Sequence, residues 1–139
     1  MEAASPARLY AATAGALLIV LGIVGFFYSA SFGSPGTVDA AAGAFRCNGW
    51  VNLAHIATGA LGLLLADTAP RGYSLVVGAL YTAFAIWGFS VGAGVILALF
   101  PGGVGNSTLH LSLGVLGLLA AAATPRPRSR GLETRPDGT

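Results

Sequence analysis

Four long apolar runs without a charged side chain are the feature that most limits how this chain can fold. They extend over about residues 9–29, 50–66, 73–100 and 107–124. An α-helix rises about 1.5 Å per residue, so about 20 apolar residues span the roughly 30 Å hydrocarbon core of a membrane. The runs therefore predict four transmembrane helices. The third run is longer than one span requires, so its helix either tilts or ends early, at Gly92 and Gly94.

The composition indicates that lipid, rather than water, is the solvent of this chain. Hydrophobic residues make up 55% of the 139 residues and charged residues only 9%, against roughly 25% charged in soluble domains. The net charge is +2, and the arginines lie outside the apolar runs, so we expect no nucleic acid partner. Every basic residue is Arg, and Ala and Gly are abundant, a bias that suggests a GC-rich bacterial genome.

The arginines also predict the orientation in the membrane. Six of them fall on one side of the predicted spans, and only Arg46 falls on the other. Because short, positively charged segments stay in the cytoplasm, we expect a multi-pass protein of the bacterial cytoplasmic membrane with both termini in the cytoplasm. Residues 1–124 then form the membrane domain. Residues 125–139, rich in Pro and Arg, are predicted to be a disordered basic cytoplasmic tail.

The membrane domain contains an internal duplication. A shift of 63 residues aligns residues 8–26 with 71–89, and a shift of 55 aligns residues 55–66 with 110–121, with identical Arg, Tyr and His among the matches. Residues 8–66 and 71–124 are therefore predicted to be tandem helix hairpins. Since each copy holds two spans, both enter the membrane in the same direction. The expected fold is an all-α four-helix bundle with a pseudo-twofold axis along the membrane normal.

The two histidines of the chain lie at equivalent positions of the repeat, each followed by glycines on the same helix face. Glycines at this spacing let helices approach closely in lipid, which predicts a packing seam. A histidine inside a membrane normally faces the bundle interior, where it hydrogen-bonds a neighbouring helix. The predicted polar layer consists of His55, His110, Asn52 and Asn106, and the packing glycines are Gly59, Gly62, Gly114 and Gly117.

A second interpretation gives the histidines a chemical role. Two imidazoles at the same depth would supply both axial ligands of a haem iron, with the glycines making room for the macrocycle. A transition-metal site is less well supported, because neither helix adds an Asp, Glu or Cys ligand to the two imidazoles. The leading expectation remains no cofactor and no metal. The lone Cys47 is interpreted as a small loop residue, with an intermolecular disulfide or a reactive thiol as alternatives.

Aromatic and arginine residues at the ends of the spans are typical of membrane-interface anchors. The predicted anchors are Arg8, Tyr10, Arg71, Tyr73 and Trp50. The chain has no nucleophile with a paired base, no phosphate loop and no acidic pair, so no catalytic residues are predicted and we do not expect an enzyme.

The chain resembles the small, mainly actinobacterial membrane proteins catalogued as domain of unknown function 4383. The resemblance rests on Asn52-Leu-Ala-His55 with its following glycines, on Arg71-x-Tyr73, and on Asn106 and His110 with theirs, and it extends from about Arg8 to Ala123. It implies a four-span membrane protein and leaves the activity open.

Three functions remain open at this point. The first is a non-enzymatic accessory or scaffold subunit that contacts lipids and another membrane protein or a second copy of itself. The second is a bis-histidine haem protein that transfers electrons. The third, a small-solute or proton-conducting protein, is disfavoured because the inner halves of the helices show no polar path.

Overall fold

The computed structural model describes residues 4–33, 38–40, 43 and 45–125. Within these residues the chain forms four helices, α1 (Pro6–Tyr28), α2 (Gly49–Leu65), α3 (Pro70–Val91) and α4 (Val104–Ala123). The all-α prediction is confirmed. The predicted disordered tail lies outside the described residues, apart from residue 125.

Two short antiparallel hairpins, which the sequence analysis did not predict, occupy the connections at one end of the bundle. Strand β1 (Val38–Ala40) pairs with β2 (Phe45–Cys47) before α2, and β3 (Val95–Ile96) pairs with β4 (Phe100–Pro101) before α4. With two or three residues per strand, neither hairpin offers enough alternation of apolar and polar residues to be recognised in the sequence.

Local signals in the sequence explain where the helices begin and end. Ser5 caps α1, because its side chain accepts a hydrogen bond from the Arg8 amide. Asn48 caps α2, because its side chain accepts a hydrogen bond from the Val51 amide. Helix α3 ends at Gly92, whose φ of 60° suits a residue without a Cβ. The helix formed by the third apolar run therefore ends early, at the first of the two glycines that the sequence offers. The remaining residues of the run enter the second hairpin.

The helices have the length and composition of membrane spans. Three of them, α1, α3 and α4, are long and apolar enough to cross a membrane. Helix α2 is also apolar but has 17 residues, a length of about 26 Å. Large apolar side chains point away from the bundle, among them Phe27, which is 86% exposed, and Leu64, which is 72% exposed. Such a surface is suited to lipid.

Both ends of the chain segment lie at the same end of the bundle, which we call the Arg8 end. Arg8 forms an ion pair with Asp67 of the α2–α3 turn at 2.7 Å, and the Ala7 amide donates to the Thr124 hydroxyl at 2.9 Å. The opposite end carries the two hairpins, and we call it the hairpin end. An even number of antiparallel helices produces this arrangement.

Glycines bring the helices of each hairpin unit into backbone contact. A Cβ built on Gly59 of α2 would lie 2.5 Å from the carbonyl oxygen of Gly15 in α1. A Cβ on Gly114 of α4 would lie 3.0 Å from the carbonyl oxygen of Gly78 in α3. Helices α1 and α2 therefore pack tightly, and so do α3 and α4, through the glycine seam that the sequence indicates.

Tyr10 and Tyr73 are core residues and do not face the lipid headgroups, which corrects their assignment as anchors. Only 7% and 5% of their surfaces are exposed. The Tyr10 hydroxyl donates to the Leu113 carbonyl at 2.8 Å, and the Tyr73 hydroxyl donates to the Thr58 carbonyl at 3.1 Å. Glycines Gly117 and Gly62 leave the space that these two hydroxyls occupy.

Several contacts of the two halves recur at positions that the 63- and 55-residue shifts relate. Each tyrosine hydroxyl bonds the equivalent carbonyl in the other half and rests on the equivalent glycine. This recurrence is compatible with a pseudo-twofold arrangement. The duplication itself stays a prediction.

We predict that Gly59→Ala destabilises the bundle by about 1–3 kcal/mol, because the new methyl group meets rigid backbone and forces the helices apart. Unfolding in mixed micelles with increasing SDS measures the effect. Gly72→Ala is the matched control, since no heavy atom lies within 4 Å of the position that its Cβ would take. The control is expected to be neutral or up to about 1 kcal/mol more stable. Equal effects of both substitutions would contradict the glycine seam.

Candidate functional site at the histidine pair

The two histidines meet inside the bundle. The Nε2 atoms of His55 and His110 are 3.4 Å apart, and the ring centroids are 5.7 Å apart with an interplanar angle of 82°. The centroid distance exceeds the distance between the nitrogens by about the width of one imidazole ring, which is the sum of the two separations between a ring centroid and its Nε2 atom. The two Nε2 atoms therefore point at each other. Each imidazole therefore contacts the neighbouring helix through the other imidazole, and the pair bridges directly between α2 and α4.

This contact fills a gap that helix packing leaves. Of the helix pairs, α2 and α4 make the least direct backbone contact, because α2 packs mainly on α1 and α4 packs mainly on α3. Two long, planar side chains are therefore able to meet between them. Both rings are partly buried.

A hydrogen bond between the imidazoles fixes opposite tautomers. One ring must carry its proton on Nε2 and donate, and the other must keep Nε2 unprotonated and carry its proton on Nδ1. Neither Nδ1 atom has a hydrogen-bond partner among the described residues. The neutral pair therefore presents one free Nδ1–H donor and one free Nδ1 acceptor.

The asparagines of the predicted polar layer lie one turn nearer the hairpin end and hold the connecting segments. Asn52 donates from Nδ2 to the Ser29 carbonyl at 2.8 Å. Asn106 donates from Nδ2 to the carbonyls of Arg46 and Pro101, at 2.7 and 3.0 Å, and its Oδ1 accepts from the Arg46 amide. They do not hydrogen-bond the histidines.

A third asparagine, Asn48, belongs to the same layer and was missed by the sequence analysis. Besides capping α2, its Nδ2 donates to the Leu99 carbonyl at 2.7 Å, which joins the start of α2 to the second hairpin. An Asn directly before an apolar run is a recognised cap signal, but the sequence does not indicate the distant carbonyl.

Two partly open cavities flank the histidine pair. The α3-side cavity, about 150 Å³, lies between α2, α3, α4 and the second hairpin, and both histidines line it. The α1-side cavity, about 180 Å³, lies between α1, α2, α4 and β2, and His55 lines it as well. The 63- and 55-residue shifts relate positions in their walls: Leu21 and Asn52 of the α1-side cavity correspond to Phe84 and Ser107 of the α3-side cavity.

Three aromatic side chains, Tyr81, Phe84 and Phe100, contribute to the walls of the α3-side cavity. The Tyr81 ring stands edge-on to His110 with centroids 4.9 Å apart, and Phe84 stands edge-on to Phe100 at 5.6 Å. These three residues were missed by the sequence analysis. They lie on α3 and β4, and no periodic pattern in the sequence connects them with the histidines.

One wall of this cavity is built on an unusual turn. Leu97 and Ala98, between β3 and β4, have φ values of 52° and 58°. Residues with a Cβ rarely adopt this conformation, which costs of order 1–3 kcal/mol at each position. The turn holds Ile96 and Phe100 against the cavity.

Ser107 adds a buried polar group to this wall. It is 1% exposed, and its hydroxyl has no hydrogen-bond partner among the described residues. The hydroxyl rests against Gly88 of α3. An unpaired buried hydroxyl is unfavourable, so a partner in the cavity would stabilise it.

The remaining predicted residues lie at the two ends of the bundle. At the Arg8 end, Arg71 donates from Nε to the Ala121 carbonyl at 3.1 Å. At the hairpin end, Trp50 donates from its indole to the Phe32 carbonyl at 2.8 Å. Cys47 is buried, and its burial raises the pKa of the thiol, which disfavours the reactive thiolate.

We predict energetic coupling between the two histidines. Replacing either one with Ala removes the same contact, so the double variant should be about 0.6 kcal/mol more stable than the sum of the single effects predicts. SDS unfolding of the four proteins of this double-mutant cycle provides the measurement. The pair His55 and Ser112, whose hydroxyl bonds only its own helix, should show additive effects. Additivity at the histidine pair would contradict the contact.

Comparison with known proteins adds the family. Neither the curated proteins nor the solved structures yielded a match. A family model described as Domain of unknown function (DUF4383) matches residues 8–124, which include both histidines and all four helices except the first two residues of α1. The chain therefore belongs to the DUF4383 family.

Proposed function

We propose that the protein is a non-enzymatic accessory or scaffold subunit that crosses the bacterial cytoplasmic membrane four times, with both termini in the cytoplasm. The observation that carries this proposal is the use of interior polar side chains as structural ties. Tyr10, Tyr73, Asn52 and Asn106 each donate to a backbone carbonyl of another helix or connection. A bundle whose helices and connections are joined by such hydrogen bonds is suited to presenting a surface of fixed shape to a partner protein.

The outer surface supports the same role. Apolar side chains are exposed on all four helices, including Phe27 on α1 and Leu64 on α2. Lipid tails and the spans of another membrane protein, or of a second copy, are both suitable partners for such a surface.

The alternative of bis-histidine haem binding requires a different geometry. Two axial nitrogens on one iron lie about 4 Å apart, since imidazole–metal bonds are about 2 Å long. The Nε2 atoms are 3.4 Å apart and in direct contact, so a macrocycle would have to separate the rings and widen the gap between α2 and α4. This geometry favours a protein without haem.

A proton- or solute-conducting role is also less well supported. Polar groups do occur near the Arg8 end of the bundle. However, the hydroxyls of Tyr10, Tyr73 and Ser74 all donate to carbonyls within the protein. A conducting path would have to break these bonds.

The orientation gives the first prediction for this function. A periplasm-dependent reporter such as alkaline phosphatase, fused after Thr124, should stay inactive because the Arg8 end faces the cytoplasm. The same reporter inserted after Gly43, in the first hairpin, should be active. Activity after Thr124 and none after Gly43 would reverse the proposed orientation.

The scaffold role gives the second prediction. A photo-crosslinking amino acid at Phe27 or Leu64, both exposed, should yield one discrete protein adduct of constant size in native membranes. The same amino acid at Leu18, which is 0% exposed, should yield no adduct with another chain. Adducts only with lipid at both exposed sites would contradict the proposal. The visible spectrum of the same purified protein decides the haem alternative, since a Soret band would support it.

A further inference from the structure

We propose that the α3-side cavity is a binding site for a small, uncharged, hydroxylated aromatic molecule of the size of phenol. The cavity, the imidazole pair and the aromatic walls each limit the ligand. The site goes beyond the proposed scaffold role and does not depend on it.

The volume limits the size of the ligand. The cavity of about 150 Å³ is as large as an engineered protein cavity that binds benzene. A single six-membered ring with one small substituent therefore fills most of it. A fused ring system would require the second hairpin to move.

The walls determine the shape and charge of the ligand. The rings of Tyr81, Phe84 and Phe100 provide faces and edges for aromatic contacts with a flat ring. Among the residues that the structure describes, no Arg, Asp or Glu lines this cavity. A charged ligand would lose its hydration without gaining a counter-ion, so a neutral molecule is favoured.

The histidine pair determines the polar group of the ligand. It offers one Nδ1–H donor and one Nδ1 acceptor, neither of which has a partner among the described residues. Since the two rings can exchange tautomers, the ring nearer the ligand offers either a donor or an acceptor. A hydroxyl group suits both states, because it donates and accepts.

Two further features of the cavity are explained by an occupant. The Ser107 hydroxyl, without a partner among the described residues, would gain one from the ligand after rotation about χ1. The turn at Leu97 and Ala98 holds Phe100 over the cavity at a cost in backbone strain. Such strain is concentrated at ligand-binding segments in other proteins.

The α1-side cavity serves as an internal comparison. It is of similar volume, includes His55 and has the aromatic residues Tyr28 and Phe45 in its walls, but Arg46 and Cys47 also contribute to them. His110 and Ser107 line the α3-side cavity and are not among the described residues that line this one. We therefore assign the ligand to the α3 side alone. Ala54 of the α3-side cavity and Leu109 of the α1-side cavity are equivalent positions of the repeat, which provides a matched pair of substitutions.

The test is a titration with phenol of the full chain in lipid nanodiscs, carrying ¹⁵N-labelled histidine and a tag without histidine. Because the chain has only two histidines, their nitrogen shifts report tautomer and hydrogen bonding directly. We expect a saturable shift of the Nδ1 signals. Benzene should bind about tenfold more weakly because it lacks the hydroxyl, and benzoate should produce no saturable shift.

The variants locate the site. Ala54→Phe fills the α3-side cavity and should weaken phenol binding at least tenfold, whereas Leu109→Phe, at the α1 side, should leave it within twofold. Phe100→Ala enlarges the cavity and should bind 4-tert-butylphenol at least tenfold more tightly than the parent protein does, which keeps the test valid if Ala54→Phe fails to fold.

Two outcomes would overturn the assignment. The first is a shift that grows linearly with phenol in the parent protein, which indicates partition into lipid. The second is a saturable shift that Leu109→Phe abolishes, or that no substitution around the α3-side cavity alters.

Discussion

Backbone contact between glycine-surfaced helices is the interaction on which the rest of this structure depends. Lipid removes the hydrophobic driving force between helices, so association relies on close packing and hydrogen bonds. The contacts of Gly15 with Gly59 and of Gly78 with Gly114 join α1 to α2 and α3 to α4. Each pair becomes a flat unit, and the two units meet chiefly through α1. This leaves α2 and α4 apart, and the histidines and both cavities lie in the resulting space.

A second constraint is that polar groups within the membrane must find partners in the protein. The buried tyrosines, asparagines and Ser74 satisfy it with carbonyls of the chain. Ser107 and the Nδ1 atoms of the two histidines do not, within the described residues. The three residues concerned all line the α3-side cavity. In a protein whose other buried polar groups are paired, unpaired groups are concentrated at functional sites. The position of these three residues around one cavity therefore favours that cavity as the site of function.

The architecture can be predicted from the sequence, but the candidate site can be predicted only in part. Charge-free runs locate four helices, and Gly92 marks the early end of α3, because the hydrophobicity of a run and the conformational freedom of glycine are local properties. The common position of His55 and His110 is visible through the repeat. The burial of Tyr10 and Tyr73 is not, because an aromatic residue near a helix end fits a headgroup region and a core equally well. The aromatic residues of the cavity wall cannot be recognised in the sequence either, since Tyr81 and Phe84 contact His110 only through tertiary packing.

Differences between the two halves are as informative as their similarity. Where the first half has Leu18, Leu21 and Asn52, the second has Tyr81, Phe84 and Ser107 at the equivalent positions. Asn52 donates to the Ser29 carbonyl directly after α1, whereas the Ser107 hydroxyl has no partner among the described residues. The substitutions at the other two positions place the rings of Tyr81 and Phe84 in the wall of the α3-side cavity. A pair of identical cavities would bind two ligands on the shared histidines, whereas the direct imidazole contact supplies only one free donor and one free acceptor. Of the two cavities, the α3-side cavity is the one that both histidines line, so the proposed ligand would use the free donor and acceptor of the pair on that side of the bundle.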